Sequence, residues 1–92
     1  MVHTVRDRIK LLNRIRRIRG QVAAIEGLLE QEADCEQVIQ TLAACRGAMN
    51  GLMAEVLEDH IRFHVVSPEV EPESPQALAA EQLVDVVRSY LK

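Results

Sequence analysis

The segment LLNRIRRIRGQVAAIEGLL, residues 11–29, repeats its apolar side chains in alternating steps of four and three residues. These positions are Leu11, Ile15, Ile18, Val22, Ile25 and Leu29. The spacing is typical of the seam of a packed helix. It predicts a first helix from about Thr4 to Gln31, within which Gly20 and Gly27 each cost roughly 1 kcal/mol relative to alanine.

A second segment, VIQTLAACRGAMNGLMAEV at residues 38–56, carries a similar seam. Its members are Val38, Leu42, Cys45, Met49, Leu52 and Val56. Asp34 is followed three residues later by Gln37, which resembles a capping box in which the aspartate accepts from the first free backbone amides. We therefore expect a break at residues 32–34 and a second helix that continues to about His64 or Val65.

The segment SPEVEPESP, residues 67–75, contains all three prolines of the chain and is predicted to be a connector. After it, Ala77 to Leu91 should form a shorter amphipathic helix, with Leu83, Val86 and Val87 on its apolar side together with Leu91. No segment has the pattern of a strand. The prediction is an all-α fold in one domain, residues 1–92, made of a long helical hairpin and a third helix.

The composition favours an oligomer. The chain has 92 residues, of which 48% are hydrophobic, with one Phe and one Tyr. Long helices of this size expose much of their surface, so the core of one protomer is marginal without a second copy. No apolar run approaches the roughly 20 residues that span a bilayer, so we expect a cytoplasmic protein without membrane contact. Its Cys35 and Cys45 should be reduced thiols there.

The net charge of -3 conceals an uneven distribution. Residues 1–20 contain seven basic side chains and one acid, Asp7, whereas the other thirteen acids lie beyond Gly20. At 100° per residue, one face of the first helix carries Arg6, Lys10, Arg14, Arg17 and Gln21. This basic stripe is predicted to lie well away from the centre of the apolar seam. A solvated face is the ordinary explanation, but the lack of balancing acids favours duplex nucleic acid over a membrane surface as partner.

The histidines suggest a metal site. His60 and His64 are four residues apart on a predicted helix, so both imidazoles can hold one ion, although such a pair is also common on solvated faces. A hairpin folded near residue 33 brings His3 to the same end. If Met1 is removed, the free amine of Val2 becomes a further nitrogen donor for a borderline divalent ion.

Cys35 lies 25 residues before His60 on the same predicted helix, about 37 Å away at 1.5 Å per residue. The two residues therefore share a site only if a second protomer runs antiparallel to the first, which creates two equivalent sites. Cys45 falls on the apolar seam and is predicted to pack as a small hydrophobe. We interpret Met49 and Met53 in the same way.

Several motifs together resemble the CsoR/RcnR family of bacterial repressors. They are RIRRIRGQ at residues 14–21, Cys35 at the start of the second helix, CRGAMNGLMAEV at residues 45–56 leading into His60, and RSYLK at residues 88–92. The resemblance covers essentially the whole chain. It implies an antiparallel dimer that forms a four-helix bundle and pairs into a tetramer. It also implies operator DNA contacts by Arg14, Arg17 and Arg46, with Lys10 as a weaker candidate.

The resemblance also bears on the inducer. Copper(I) sensors of this family have cysteine at the position of His64, and imidazole there disfavours copper(I). Formaldehyde sensors pair the cysteine with a proline at position 2, from which Val2 departs. His3, Cys35, His60 and His64 look like the nickel- and cobalt-responsive branch, where the amine of residue 2 also contributes. The resemblance thus implies that Ni(II) or Co(II) releases the protein from DNA, and that Zn(II) can also occupy the site. It implies metal efflux genes as targets.

Three alternatives remain open at this point. A formaldehyde-responsive repressor of the same family would use Cys35 as the nucleophile. A metal-binding helical bundle without a DNA role would share the ligand set but leave the basic stripe unexplained. An enzyme is not expected, because the sequence offers no glycine loop or oxyanion site to accompany the thiol.

Overall fold

The computed structural model describes residues 5–65 and 71–91, with the backbone alone at residues 64 and 65. Throughout these ranges the regular structure is helical. Helix α1 spans Val5–Glu30, α2 spans Cys35–His60 and α3 spans Pro75–Tyr90, and a π-helical turn at Ile61–Val65 continues α2. The all-α prediction and the three helices are confirmed. The second helix reaches Val65 as expected, but its last five residues adopt the wider π-helical winding.

The hairpin turn is closed by backbone hydrogen bonds. The amide of Ala33 donates to the carbonyl of Leu28 at 2.9 Å and that of Glu32 donates to Leu29 at 3.2 Å, while Glu32 has a φ of 56°. This is the Schellman pattern, in which a left-handed residue ends a helix and satisfies its last carbonyls. The turn reverses the chain at the predicted residues.

The predicted capping box at Asp34 is wrong. Asp34 is the N-cap residue of α2 and has extended backbone angles, but its side chain makes no capping hydrogen bond. Its backbone carbonyl instead accepts from the amide of Val38 at 3.3 Å. The residue therefore contributes backbone geometry and a negative charge near the positive end of the helix dipole.

Each predicted seam divides between two faces of the hairpin. We call inner face the buried or half-buried positions at which α1 and α2 meet: Leu11, Arg14, Ile18, Gln21, Ile25 and Leu28 of α1, and Val38, Thr41, Cys45, Ala48, Leu52 and Glu55 of α2. The remaining seam members form an outer face and are exposed: Ile15, Val22 and Leu29 of α1, and Leu42, Met49 and Val56 of α2. Exposed Met53 also belongs to this outer face, so within one protomer the seams pack only through their inner halves.

Helix α3 packs on the π-helical turn. Ile61, Ala80 and Val84 are buried together, and Val87 packs against them. The helix begins earlier than predicted because Ser74 caps it, its Oγ accepting from the amide of Ala77 at 3.2 Å, with Pro75 in the first turn. The predicted apolar side was partly wrong. Leu83 and Val86 are exposed, because α3 packs on the turn through the side that carries Ala80, Val84 and Val87.

Within the described residues, no helix combines the length and apolarity required to cross a membrane.

Candidate regulatory site and cationic face

The thiol and the imidazole predicted to share a site lie at opposite ends of one helix. Cys35 is the first residue of α2 and His60 is the last, and both are exposed. A continuous helix of 26 residues separates them by about 37 Å at 1.5 Å per residue. Accordingly, the described part of one chain brings together no three His, Cys, Asp or Glu side chains able to hold a metal ion.

The remaining predicted ligands are less fully described. Val2 and His3 lie outside the described residues, just before α1, and for His64 the backbone alone is described, within the π-helical turn. Short π-helical segments are frequent at functional sites, because the extra residue per turn changes the directions of the side chains. Such a segment at the predicted ligand-bearing end of α2 was not foreseen from the sequence.

Helix α3 fixes this end of α2 through ion pairs. Arg62 donates to both carboxylate oxygens of Glu81, each at 2.9 Å, and Arg88 donates to both oxygens of Glu58, the longer distance being 3.2 Å. The hydrogen bonds from Arg62 lower the pKa of Glu81 and raise the pKa of Arg62 itself. Together with the buried contacts of Ile61, these pairs hold the backbone that carries His60 and His64. The sequence gives no signal for pairs separated by 19 and 30 residues.

Carboxylates gather where the start of α1 meets the end of α2. The pKa of Asp59 is raised, first by burial and then by the neighbouring charges of Asp7, Glu55 and Glu58. Cations from α1 and α3 lie among these carboxylates, since Lys10 and Arg14 pair with Glu55, and Arg88 pairs with Glu58.

The basic stripe lies only partly on an exposed face. Arg6, Lys10 and Arg17 are exposed as expected, but Arg14 and Gln21 are half-buried on the inner face, so this part of the stripe was misplaced. Arg14 Nε lies 3.0 Å from Glu55 Oε2, and Lys10 Nζ lies 2.9 Å from Glu55 Oε1. The misplacement arose because apolar periodicity alone cannot reveal a polar residue that packs between helices through an ion pair.

Arg17 and Arg46, the other predicted DNA contacts, are exposed. Arg46 borders a groove formed with Ile39, Leu42 and Ala43, next to the outer face. Arg14 and Arg17 border a second depression over Ile18 and Ala48. Cationic side chains thus occupy both helices of the hairpin.

Comparison with known proteins assigns the chain to a family. Residues 7–89 match the model of a family described as metal-sensitive transcriptional repressors. Over the full length of both chains, the protein is 50% identical to an uncharacterized protein of the bioA 5′ region in Serratia marcescens and 41% identical to the transcriptional repressor RcnR of Citrobacter koseri. A solved variant of the formaldehyde-responsive regulator FrmR from Salmonella enterica serovar Typhimurium superposes with a TM-score of 0.70 at 41% identity, covering 97% of this chain and 99% of that one.

These matches define the protein as a transcriptional repressor rather than an enzyme. It belongs to the metal-sensitive CsoR/RcnR family.

Proposed function

We propose that this chain binds operator DNA as an assembly of identical protomers and releases it when Ni(II) or Co(II) binds. The inducer site consists of His3, His60 and His64 of one protomer and Cys35 of another, with the amine of Val2 as a further donor. Derepression would then raise expression of metal efflux genes.

One observation carries this proposal: Cys35 and His60 are the two terminal residues of the uninterrupted helix α2. A second α2 that runs antiparallel to the first places each thiol beside the imidazoles of the other chain, and two-fold symmetry creates two equivalent sites. Ligand binding therefore depends on the arrangement of protomers, which gives the ligand a way to change a DNA-binding surface.

The outer face supports the same pairing. Ile39, Leu42, Met49, Met53 and Val56 expose apolar surface along α2. A contiguous apolar surface of this kind is typical of protein interfaces rather than of monomers. Two antiparallel hairpins joined through it form a four-helix bundle, and we propose that two such dimers make the tetramer.

The donor set supports a borderline divalent inducer. Imidazoles and a single thiolate suit Ni(II), Co(II) or Zn(II), and the nitrogen-rich set favours the six-coordinate Ni(II) and Co(II) ions over Cu(I). His3 lies two residues before the first residue of α1. A metal bond to His3 would therefore tie the start of the basic helix to the end of α2 and penalise the DNA-bound shape. By linkage, DNA would lower the affinity for metal by the same factor.

The DNA surface is proposed to contain Arg14, Arg17 and Arg46, with Lys10 in a secondary role. Cations on both helices favour phosphate contacts, so binding should weaken steeply as salt increases. Reversing the charge of Arg17 and Arg46 together should abolish binding. Unchanged binding would show that the DNA surface lies elsewhere, whereas wild-type protein that binds metal but no DNA would favour a metal-binding bundle without a DNA role.

Fluorescence anisotropy with a duplex that carries a GC tract tests the proposal. The reduced protein is titrated onto the DNA, and Ni(II), Co(II), Zn(II) or Cu(I) is then added. Release by Ni(II) or Co(II) that is lost in Cys35→Ala and His64→Ala, but retained in the matched Cys45→Ala variant, would support the sensor. Absence of DNA binding at any salt concentration would refute it.

Formaldehyde is the second candidate inducer, because Cys35 is an exposed free thiol and the structurally similar FrmR is formaldehyde-responsive. The Cys35 thiolate would add to the aldehyde carbon, and the aldehyde oxygen would take up a proton to give a hemithioacetal. DNA release by formaldehyde but by none of the metals, lost in Cys35→Ala and retained in His64→Ala, would select this candidate.

A further inference from the structure

Glu55 occupies an unusual place between the two helices of the hairpin. Each of its carboxylate oxygens has a different cation from α1, Lys10 at Oε1 and Arg14 at Oε2. Its side chain is 19% exposed, whereas that of Lys10 is 63% exposed and that of Arg14 is 39% exposed. The anion is thus sheltered between helices, while both cations keep surface that a larger anion can reach.

The local backbone accommodates the arrangement. A Cβ added to Gly51 would lie 3.1 Å from Nη1 of Arg14. The guanidinium therefore lies along α2, over the one position of that turn that has no side chain. The hydrogen bond from Lys10 to Glu55 also raises the pKa of Lys10.

We propose that Glu55 acts as an internal substitute for a DNA phosphate, holding Lys10 and Arg14 in the absence of DNA and competing with the duplex for them. This rests on the proposed function, since it assumes that these cations face DNA. Ion pairs to a carboxylate and to a phosphate use the same donors, so each must be broken or shared before the other forms. Glu55 would therefore keep the affinity for DNA below the value that the cations of α1 could provide.

Arg17 and Arg46 provide the contrast. Within the described residues neither forms an ion pair, so the competition should not affect them. Loss of Arg17 should reduce DNA affinity equally with or without Glu55. Loss of Arg14 should matter more once Glu55 is removed, because its guanidinium is then free to bind phosphate.

The test compares Glu55→Gln with Glu26→Gln by anisotropy on one duplex over a range of salt concentrations. Glu26 is exposed on α1, about 18 Å along the helix from Arg14 at 1.5 Å per residue, so its variant changes the net charge equally without touching the ion pairs. We expect Glu55→Gln to bind about fivefold more tightly, since each partly exposed pair contributes modestly. When the logarithm of its DNA-binding constant is plotted against the logarithm of salt concentration, the slope should steepen by about 1 for each additional phosphate that the protein neutralises. Glu26→Gln should increase the affinity by less than half as much.

A second comparison keeps the result clear if Glu55→Gln alters stability. In a background of Lys10→Ala with Arg14→Ala, Glu55→Gln should strengthen binding no more than Glu26→Gln does, and circular dichroism establishes that each variant is folded. Wild-type binding that Glu55→Gln leaves unchanged, or strengthens no more than Glu26→Gln does, would overturn this proposal and leave the repressor intact. Wild-type protein that binds no DNA would overturn the proposed function together with this inference.

Discussion

The inner face of the hairpin is more polar than its outer face. Inside, Arg14 forms an ion pair with Glu55, and Thr41 donates a hydrogen bond to the carbonyl of Gln37 at 2.9 Å. Gln21 is half-buried there, and its Oε1 accepts no hydrogen bond from the described residues. Outside, the apolar residues of α2 form an exposed stripe. Buried apolar area stabilises a fold, whereas partnered polar groups mainly select one arrangement. We therefore expect the inner face to set how the helices pair and the outer face to stabilise the assembly.

A charge introduced into the apolar outer face should have the largest effect on assembly and stability. Met49→Glu places a carboxylate where we propose that a second protomer packs, and an unpaired charge there costs several kcal/mol. We expect the variant to dissociate and to lose much of its helical signal, because a lone protomer has a small core. Sedimentation velocity and circular dichroism measure both effects.

The control is Gln40→Glu, an exposed polar position of the same helix with the same added charge. It should leave mass and helicity unchanged. The wild-type Tm should also rise with protein concentration, as for any coupled assembly. A Met49→Glu variant with wild-type mass and Tm would contradict this account of the outer face.

A smaller effect is expected from a buried contact within the protomer. Val84 is 0% exposed, whereas Val86 on the same helix is 49% exposed. Val84→Ala removes two methyl groups and leaves a cavity, which should lower the free energy of unfolding by about 2 kcal/mol. Val86→Ala should lower it by less than half as much in urea denaturation. A similar loss in both variants would show that Val86 is also buried in the assembly.

Much of the fold could be predicted because helix periodicity and helix-breaking residues are local properties of the sequence. The hairpin turn, the connector before α3 and the burial of Ile18 follow from them. The division of each seam into two faces could not be predicted, because residues such as Leu11 and Ile15 carry the same hydrophobic signal. What separates them is the side of α1 on which α2 packs, which depends on contacts between residues distant in sequence.

The candidate site also has features that could be predicted from the sequence and features that could not. The separation of Cys35 from His60 could be predicted, because it needs only the rise of a helix. The attachment of α3 through Arg62 and Glu81 could not, since it depends on how the third helix folds back. The coordination by His64 stays a prediction.

Two glycines of α2, one next to the inner-face ion pair and one away from it, should differ by a smaller amount in their effect on stability. Gly47 has nothing within 4 Å of an added Cβ, so Gly47→Ala should stabilise the helix by about 1 kcal/mol. Gly51→Ala should stabilise it less, because its Cβ would displace the Arg14 guanidinium from its position beside Glu55. Urea midpoints measure the difference. Equal stabilisation would show that Arg14 moves aside freely.

The smallest effect concerns an ion pair outside the hairpin. Arg62 lowers the pKa of Glu81 below its ordinary value of 4.5. The pair therefore contributes stability that is fully present above about pH 4.5 and is lost as the pH falls through the lower folded-state pKa. Because Glu81 is well exposed, screening keeps the contribution small. Between about pH 6 and pH 3 the Tm of wild-type protein should fall slightly more than that of Glu81→Gln, and the opposite order would show that Arg62 does not hold Glu81 in solution.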